Sequence, residues 1–236
     1  MFSQKLNRPI ALLGVAIVVG GGAYGIVSAT AGTGTVTTTS SSPSTSGQPF
    51  AGGGGSNARS GPAAGGSIGT VDSVSKSKFT LSTSAGQKVT VQKASSTKYK
   101  NGTGPTSASA VKRGKTVLAL GITNGTIITA SKVIVQPKGS PGSATSPTAV
   151  VPFQPGAPST SKQVGQIPTT YSQGSGTIVN GTTANKATEA ALAAYPGGIV
   201  DRVVKLSDGE YEVHNIGVNW PHHIFVNQSF KVVGAN

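Results

Sequence analysis

Two long stretches of this chain are too poor in apolar side chains to build a core, and they decide what the rest can fold into. Thr30 to Gly66 is mostly Gly, Ser, Thr, Ala and Pro, with one charge (Arg59) and one aromatic (Phe50). That composition predicts a flexible tether whose span as a coil is roughly 30–35 Å. Pro137 to Gln173 holds seven of the fourteen prolines, which predicts a stiffer, more extended spacer. The chain therefore divides into a leader (1–29), a Gly/Ser/Thr linker (30–66), a basic segment (67–137), a Pro-rich linker (138–173) and a C-terminal segment (174–236).

The leader fixes the address. Pro9 to Ala29 carries no charge, and 21 residues at about 1.5 Å each just cross a hydrocarbon core of about 30 Å. Lys5 and Arg8 precede it and no basic residue follows until Arg59, an asymmetry that keeps the N-terminus in the cytoplasm. The expectation is a single-pass transmembrane helix at the cell membrane with the bulk of the chain extracytoplasmic. The alternative is a signal peptide cleaved at Ala29-Thr30-Ala31, giving a secreted protein. There is no cysteine, so an exported product has neither disulfides nor a lipidated thiol.

Charge is unevenly placed. Residues 67–137 carry ten Lys and Arg against Asp72 alone, whereas 174–236 carry four basic residues against five acidic ones. The basic segment alternates apolar and polar residues in short runs: Ile68–Val74, Lys78–Ser82, Gln87–Gln92, Thr97–Lys100, Thr116–Thr123 and Thr126–Gln136. Leu118, Leu120 and Ile122 alternate with Val117 and Ala119, so that strand is apolar on both faces. Asn124-Gly125 predicts a tight hairpin, and Thr106 to Arg113 one helical turn. Five or six strands with one short helix in about 70 residues predict a small closed or nearly closed β-barrel. The runs Gly69-Thr70-Val71-Asp72-Ser73-Val74, Phe79-Thr80-Leu81, Val89-Thr90-Val91, Lys112-Arg113-Gly114 and Gly125-Thr126-Ile127-Ile128 resemble an OB-like exported bacterial domain of unknown function. Lys76, Lys78, Lys98, Lys100, Lys112, Arg113 and Lys115 are its candidate polyanion-binding residues, facing anionic envelope polymers or lipid headgroups. Single-stranded nucleic acid needs exposed aromatics for stacking, and Phe79 and Tyr99 are too few, so no nucleic-acid partner is expected.

In the C-terminal segment Ala184 to Tyr195 predicts a helix stopped by Pro196-Gly197-Gly198. Strands follow at Ile199–Leu206, Glu210–Ile216, His222–Asn227 and Phe230–Val233. Tyr211 and Val213 face one side of the sheet, Glu210, Glu212 and His214 the other. The expected fold class is α+β and mostly β: an N-terminal transmembrane helix, the small barrel, then a helix laid on an antiparallel sheet, joined by disordered linkers. Ala190-Ala191, Tyr195-Pro196-Gly197-Gly198, Val203-Val204 and Tyr211-Glu212-Val213 at these separations resemble the PepSY family. That resemblance implies a non-catalytic module that binds protein partners such as peptidases. Asn227 departs from it, standing where the family often has an acidic residue. Glu210, Glu212, His214, Trp220 and His223 are the candidate partner-binding residues.

The sequence carries no motif of a known reaction chemistry. HExxH, GxSxG and Walker patterns are missing from the sequence, so no enzyme activity and no cofactor is expected. His214, His222 and His223 invite a metal reading. Side chains adjacent on a strand point to opposite faces, however, which separates His222 from His223 and leaves no metal site assigned. The Asn-Gly pairs at Asn101, Asn124 and Asn180 read as turns.

Overall fold

The alternating runs of the basic segment form six strands: β1 (Ala63–Val74), β2 (Lys78–Ser82), β3 (Lys88–Asn101), β4 (Gly104–Thr106), β5 (Thr116–Asn124) and β6 (Ile127–Val135). This is a computed structural model, and it describes residues 61–139 and 150–236. The expected transmembrane or signal segment 9–29, its cleavage site and most of the 30–66 linker lie outside the described residues. Among the described residues no helix is long and apolar enough to cross a membrane.

Hydrogen-bonded neighbours run β2-β3-β6-β5-β1, and β1 also pairs with β2, so five strands close into a ring. The β3–β6 pairing is parallel and the others are antiparallel. Phe79, Leu81, Val89, Val91, Val117, Ala119, Ile128 and Val133 fill the interior. The expected helical turn is a short 3-10 turn at Ala108–Ala110. Gly102, Gly125 and Gly181 all adopt positive φ, as the Asn-Gly turns require.

The remainder comprises β7 (Val151–Pro152), β8 (Val164–Gly165), β9 (Thr177–Ile178), α1 (Gly181–Ala194), β10 (Ile199–Lys205), β11 (Tyr211–Ile216), β12 (Val218–Trp220), β13 (His223–Val226) and β14 (Val232–Ala235). Helix α1 buries Ala184, Ala187, Thr188, Ala191 and Leu192. Four of these carry one or two heavy side-chain carbons beyond the backbone or little more, so the helix can sit close to the sheet. The Tyr195 N–H reaches the Ala191 carbonyl at 2.8 Å, and Pro196 then removes the next donor and ends the helix.

The two segments are continuous rather than strung apart. Gly66 and Ser67 of β1 pair with Val200 and Ile199 of β10 on one flank, and with Leu120 and Ala119 of β5 on the other. One sheet path therefore runs from β2 through β1 into β10, β11, β13 and β14. Strand β1 begins at Ala63, inside what composition assigned to the linker. Its glycines are what make the double pairing possible: a Cβ on Gly65 would lie 2.0 Å from the Val200 carbonyl oxygen, and one on Gly66 2.3 Å from that of Ala119.

The two-faced pattern of β5 now has its cause. Val117 and Ala119 point into the ring, while Leu118 and Leu120 point outward into a second core with Ile68, Ala187, Ala191, Leu192, Val203, Val213 and Ile224. Residues 150–173 also depart from the expected spacer. They add β7 against β12 and β8 against β14, and they cover the face of the C-terminal sheet opposite α1.

Candidate functional site

The barrel's basic residues divide into groups. Lys112, Arg113 and Lys115 lie in the turn before β5, which is pinned to β1 by Gly114 N–H to the Val71 carbonyl and Val71 N–H to the Lys115 carbonyl, both 2.9 Å. With Asn101, Gln136 and Lys138 they line an open cavity of about 740 Å³. Among the described residues no acidic one lines it. Lys138 joins this group although composition placed it in the linker; its position three residues beyond the end of β6 was the available signal. Lys98 sits beside Lys132 in the β3–β6 register. Lys100 is on the same strand facing β4 and β6, and Lys76 and Lys78 are exposed at the β1–β2 hairpin. Of the seven residues expected to meet a polyanion, three converge and four stand apart from the cavity lining. Asp72 is occupied locally: Lys88 Nζ at 2.9 Å, with the Ser82 hydroxyl at 2.7 Å, holds its carboxyl below the usual range.

The expected partner-binding residues sit elsewhere than on an accessible face. Glu212, His214, Trp220 and His223 are 2%, 1%, 1% and 8% exposed, and Glu210 alone of the five is part-exposed. The period of the strand is as expected, with Tyr211 and Val213 against α1. What sequence reasoning missed is the cover. The Trp220 indole N–H donates to the Lys162 carbonyl at 2.7 Å, and Lys162 Nζ lies 4.2 Å over the ring. The Tyr171 ring packs on His223 and Phe225, with centroids 5.5 and 4.8 Å away.

Under that cover lies a buried polar network. A bulge in β10 between Val200 and Arg202 sets consecutive residues toward the same face, where strict alternation would separate them. Asp201 Oδ1 is 2.6 Å from His214 Nδ1. Arg202 Nη2 is 3.8 Å from Glu212 Oε1, which is also 2.8 Å from His223 Nδ1. His222 precedes β13 and is outside its ladder, so the rule that set it opposite His223 does not apply. Its Nε2 is 3.1 Å from His214 Nε2, and its Nδ1 is 3.0 Å from the Asn215 carbonyl. The three imidazole centroids are 4.4, 4.8 and 5.3 Å apart.

Burial and the neighbouring His214 and His223 push His222 down to about 4, leaving it neutral at pH 7. Burial, reinforced by Glu212, pushes the Tyr171 hydroxyl up to about 12. Comparison with protein-family models, curated proteins and solved structures found no match to this chain.

Proposed function

We propose that this chain is a non-catalytic extracytoplasmic binding protein, held at the membrane through residues 9–29, whose OB-like barrel takes anionic envelope polymers or lipid headgroups at its basic end. The observation that carries this reading is the cavity that Lys112, Arg113, Lys115 and Lys138 line with no acidic residue among the described lining; the neighbouring Asp72, which feels the Arg113 charge, is taken up by Lys88 and Ser82. Such a concave, single-sign surface concentrates counter-charge and steers a polyanion toward it. The closed ring β1-β2-β3-β6-β5 supports the OB-like assignment, a scaffold that uses its strand faces and loops for polymeric ligands.

The test is titration of the full chain with inorganic polyphosphate and, separately, with vesicles containing anionic lipid. The expected result is binding that weakens steeply with salt. In the Lys112→Ala/Arg113→Ala/Lys115→Ala variant it should fall at least about tenfold, a loss of about 1.4 kcal/mol. Binding that ignores both salt and this variant overturns the reading.

A PepSY-like contact with a peptidase is the second reading, and the order of one helix followed by an antiparallel sheet favours it. It would have to use a surface other than Glu212, His214, Trp220 and His223, since these are enclosed. Inhibition of a secreted peptidase by the full chain, unaffected by salt, would separate it from the first.

A further inference from the structure

The histidine cluster poses a problem of hydrogen-bond bookkeeping. A backbone carbonyl accepts and never donates, so the Asn215 carbonyl at 3.0 Å requires His222 Nδ1 to carry the proton. A carboxylate likewise only accepts, so Asp201 at 2.6 Å fixes the proton on His214 Nδ1. Glu212 at 2.8 Å does the same for His223 Nδ1. In its neutral form each ring then presents Nε2 as a lone pair, and Nε2 of His214 stands 3.1 Å from Nε2 of His222. Two such atoms repel unless a cation, either a proton carried by one ring or a metal ion, lies between them.

We propose that His214 Nε2 and His222 Nε2 bind a divalent transition-metal ion of the zinc type. Two nitrogens at about 2.0–2.1 Å from a tetrahedral ion stand about 3.3 Å apart, close to the spacing already present. Imidazole suits this class of ion, and a ligating histidine characteristically donates its other N–H to a carboxylate or a backbone carbonyl. All three rings here have that outer partner, drawn from β10 and β11.

The His223 ring lies beside the pair, its Nδ1 held by Glu212 at 2.8 Å. Among the described residues no three His, Cys, Asp or Glu side chains stand arranged to hold a metal ion, so the protein ligands proposed are His214 and His222, with water completing the shell. His222 and His223 also form part of the wall of a cavity of about 700 Å³ that includes Lys162, Asn219 and Asn236. That cavity gives the ion a route in and leaves room for water at a remaining position. This inference is independent of the polyanion reading, which concerns a different cavity with no residue in common.

The experiment is calorimetry of the metal-stripped full chain with Zn2+, together with absorption spectra of the Co2+ form. The expected result is one equivalent bound with a dissociation constant at or below the micromolar range, and Co2+ bands of a nitrogen-ligated low-coordinate site. His222→Ala and His222→Gln, both at a part-exposed position, should weaken binding at least a hundredfold while leaving the circular dichroism spectrum unchanged. Absence of Zn2+ binding by the folded wild-type chain overturns the proposal and assigns the intervening cation as a shared proton. Binding that survives in both His222 variants overturns it as well, because the ion then sits elsewhere. Should either variant unfold, the Co2+ spectrum of the wild type decides: octahedral, water-like bands count against the site.

Discussion

The barrel interior and the covered face of the C-terminal sheet are both buried, yet they are built from different chemistry. Within 61–139 the buried polar residues are Ser67, Thr83, Thr97 and Thr123, hydroxyls only. Within 174–236 they include Asp201, Arg202, Glu212, His214 and His223. A hydroxyl is satisfied by a neighbouring backbone group, as Thr97 is by the Ala130 carbonyl at 2.7 Å. A buried charge needs a prearranged partner and is costly without one. The barrel thus holds a shape, whereas the C-terminal face holds reactive groups at set distances.

Removing one member from each region gives the sharpest contrast. Glu212→Ala withdraws the carboxylate that serves both Arg202 and His223; the expected loss is about 3–5 kcal/mol. Thr97→Val removes a hydroxyl from the barrel wall and should cost about 1 kcal/mol. Guanidinium unfolding of the two variants measures both, and equal losses would mean that the two interiors do not differ in what they demand of a buried polar group.

Gly65→Ala attacks the strand that both regions share. The added methyl meets the Val200 carbonyl, a backbone atom that cannot swing aside. Overpacking of this kind costs about 1–3 kcal/mol. Hydrogen exchange should quicken in β5 and β10 together, and protection lost on one side alone would mean the halves are uncoupled.

A smaller effect should appear in alkali. Tyr171 keeps its proton in the fold up to about 12 against 10.0 for an ordinary tyrosine. Its contribution is fully present below pH 10 and disappears as pH rises from 10 toward 12, because the unfolded chain ionises first. Absorbance titration near 295 nm should show one late-ionising tyrosine missing from Tyr171→Phe. A Tyr171 that titrates near 10 would mean that residues 150–173 do not cover the sheet.

Much of the fold was legible because alternation survives wherever one face is wet. Lys78–Ser82 was bounded to the residue, and the helix, its stop and the β10–β11 turn were placed within a few positions. What was missed has physical reasons. Ala63–Gly66 has the composition of a tether because a strand squeezed between two neighbours has no room for side chains. The outward Leu118 and Leu120 did signal a second layer, but a pattern along one strand does not name its cover. In the site, the bulge at Asp201 and the position of His222 outside its ladder both break the period of two on which the faces were assigned. Proline-rich composition concealed that Lys162 and Tyr171 roof the polar network.

Because β1 is stitched along both of its flanks, the polypeptide offers no clean place to be severed between its halves. A product stopped at Pro137 would bare the leucines that α1 normally shields, and one started at Gly174 would lose its roof and its neighbouring strand at once. Such truncations should clump, and an exchange of either half for a foreign module must carry β1 and β10 across as a matched pair.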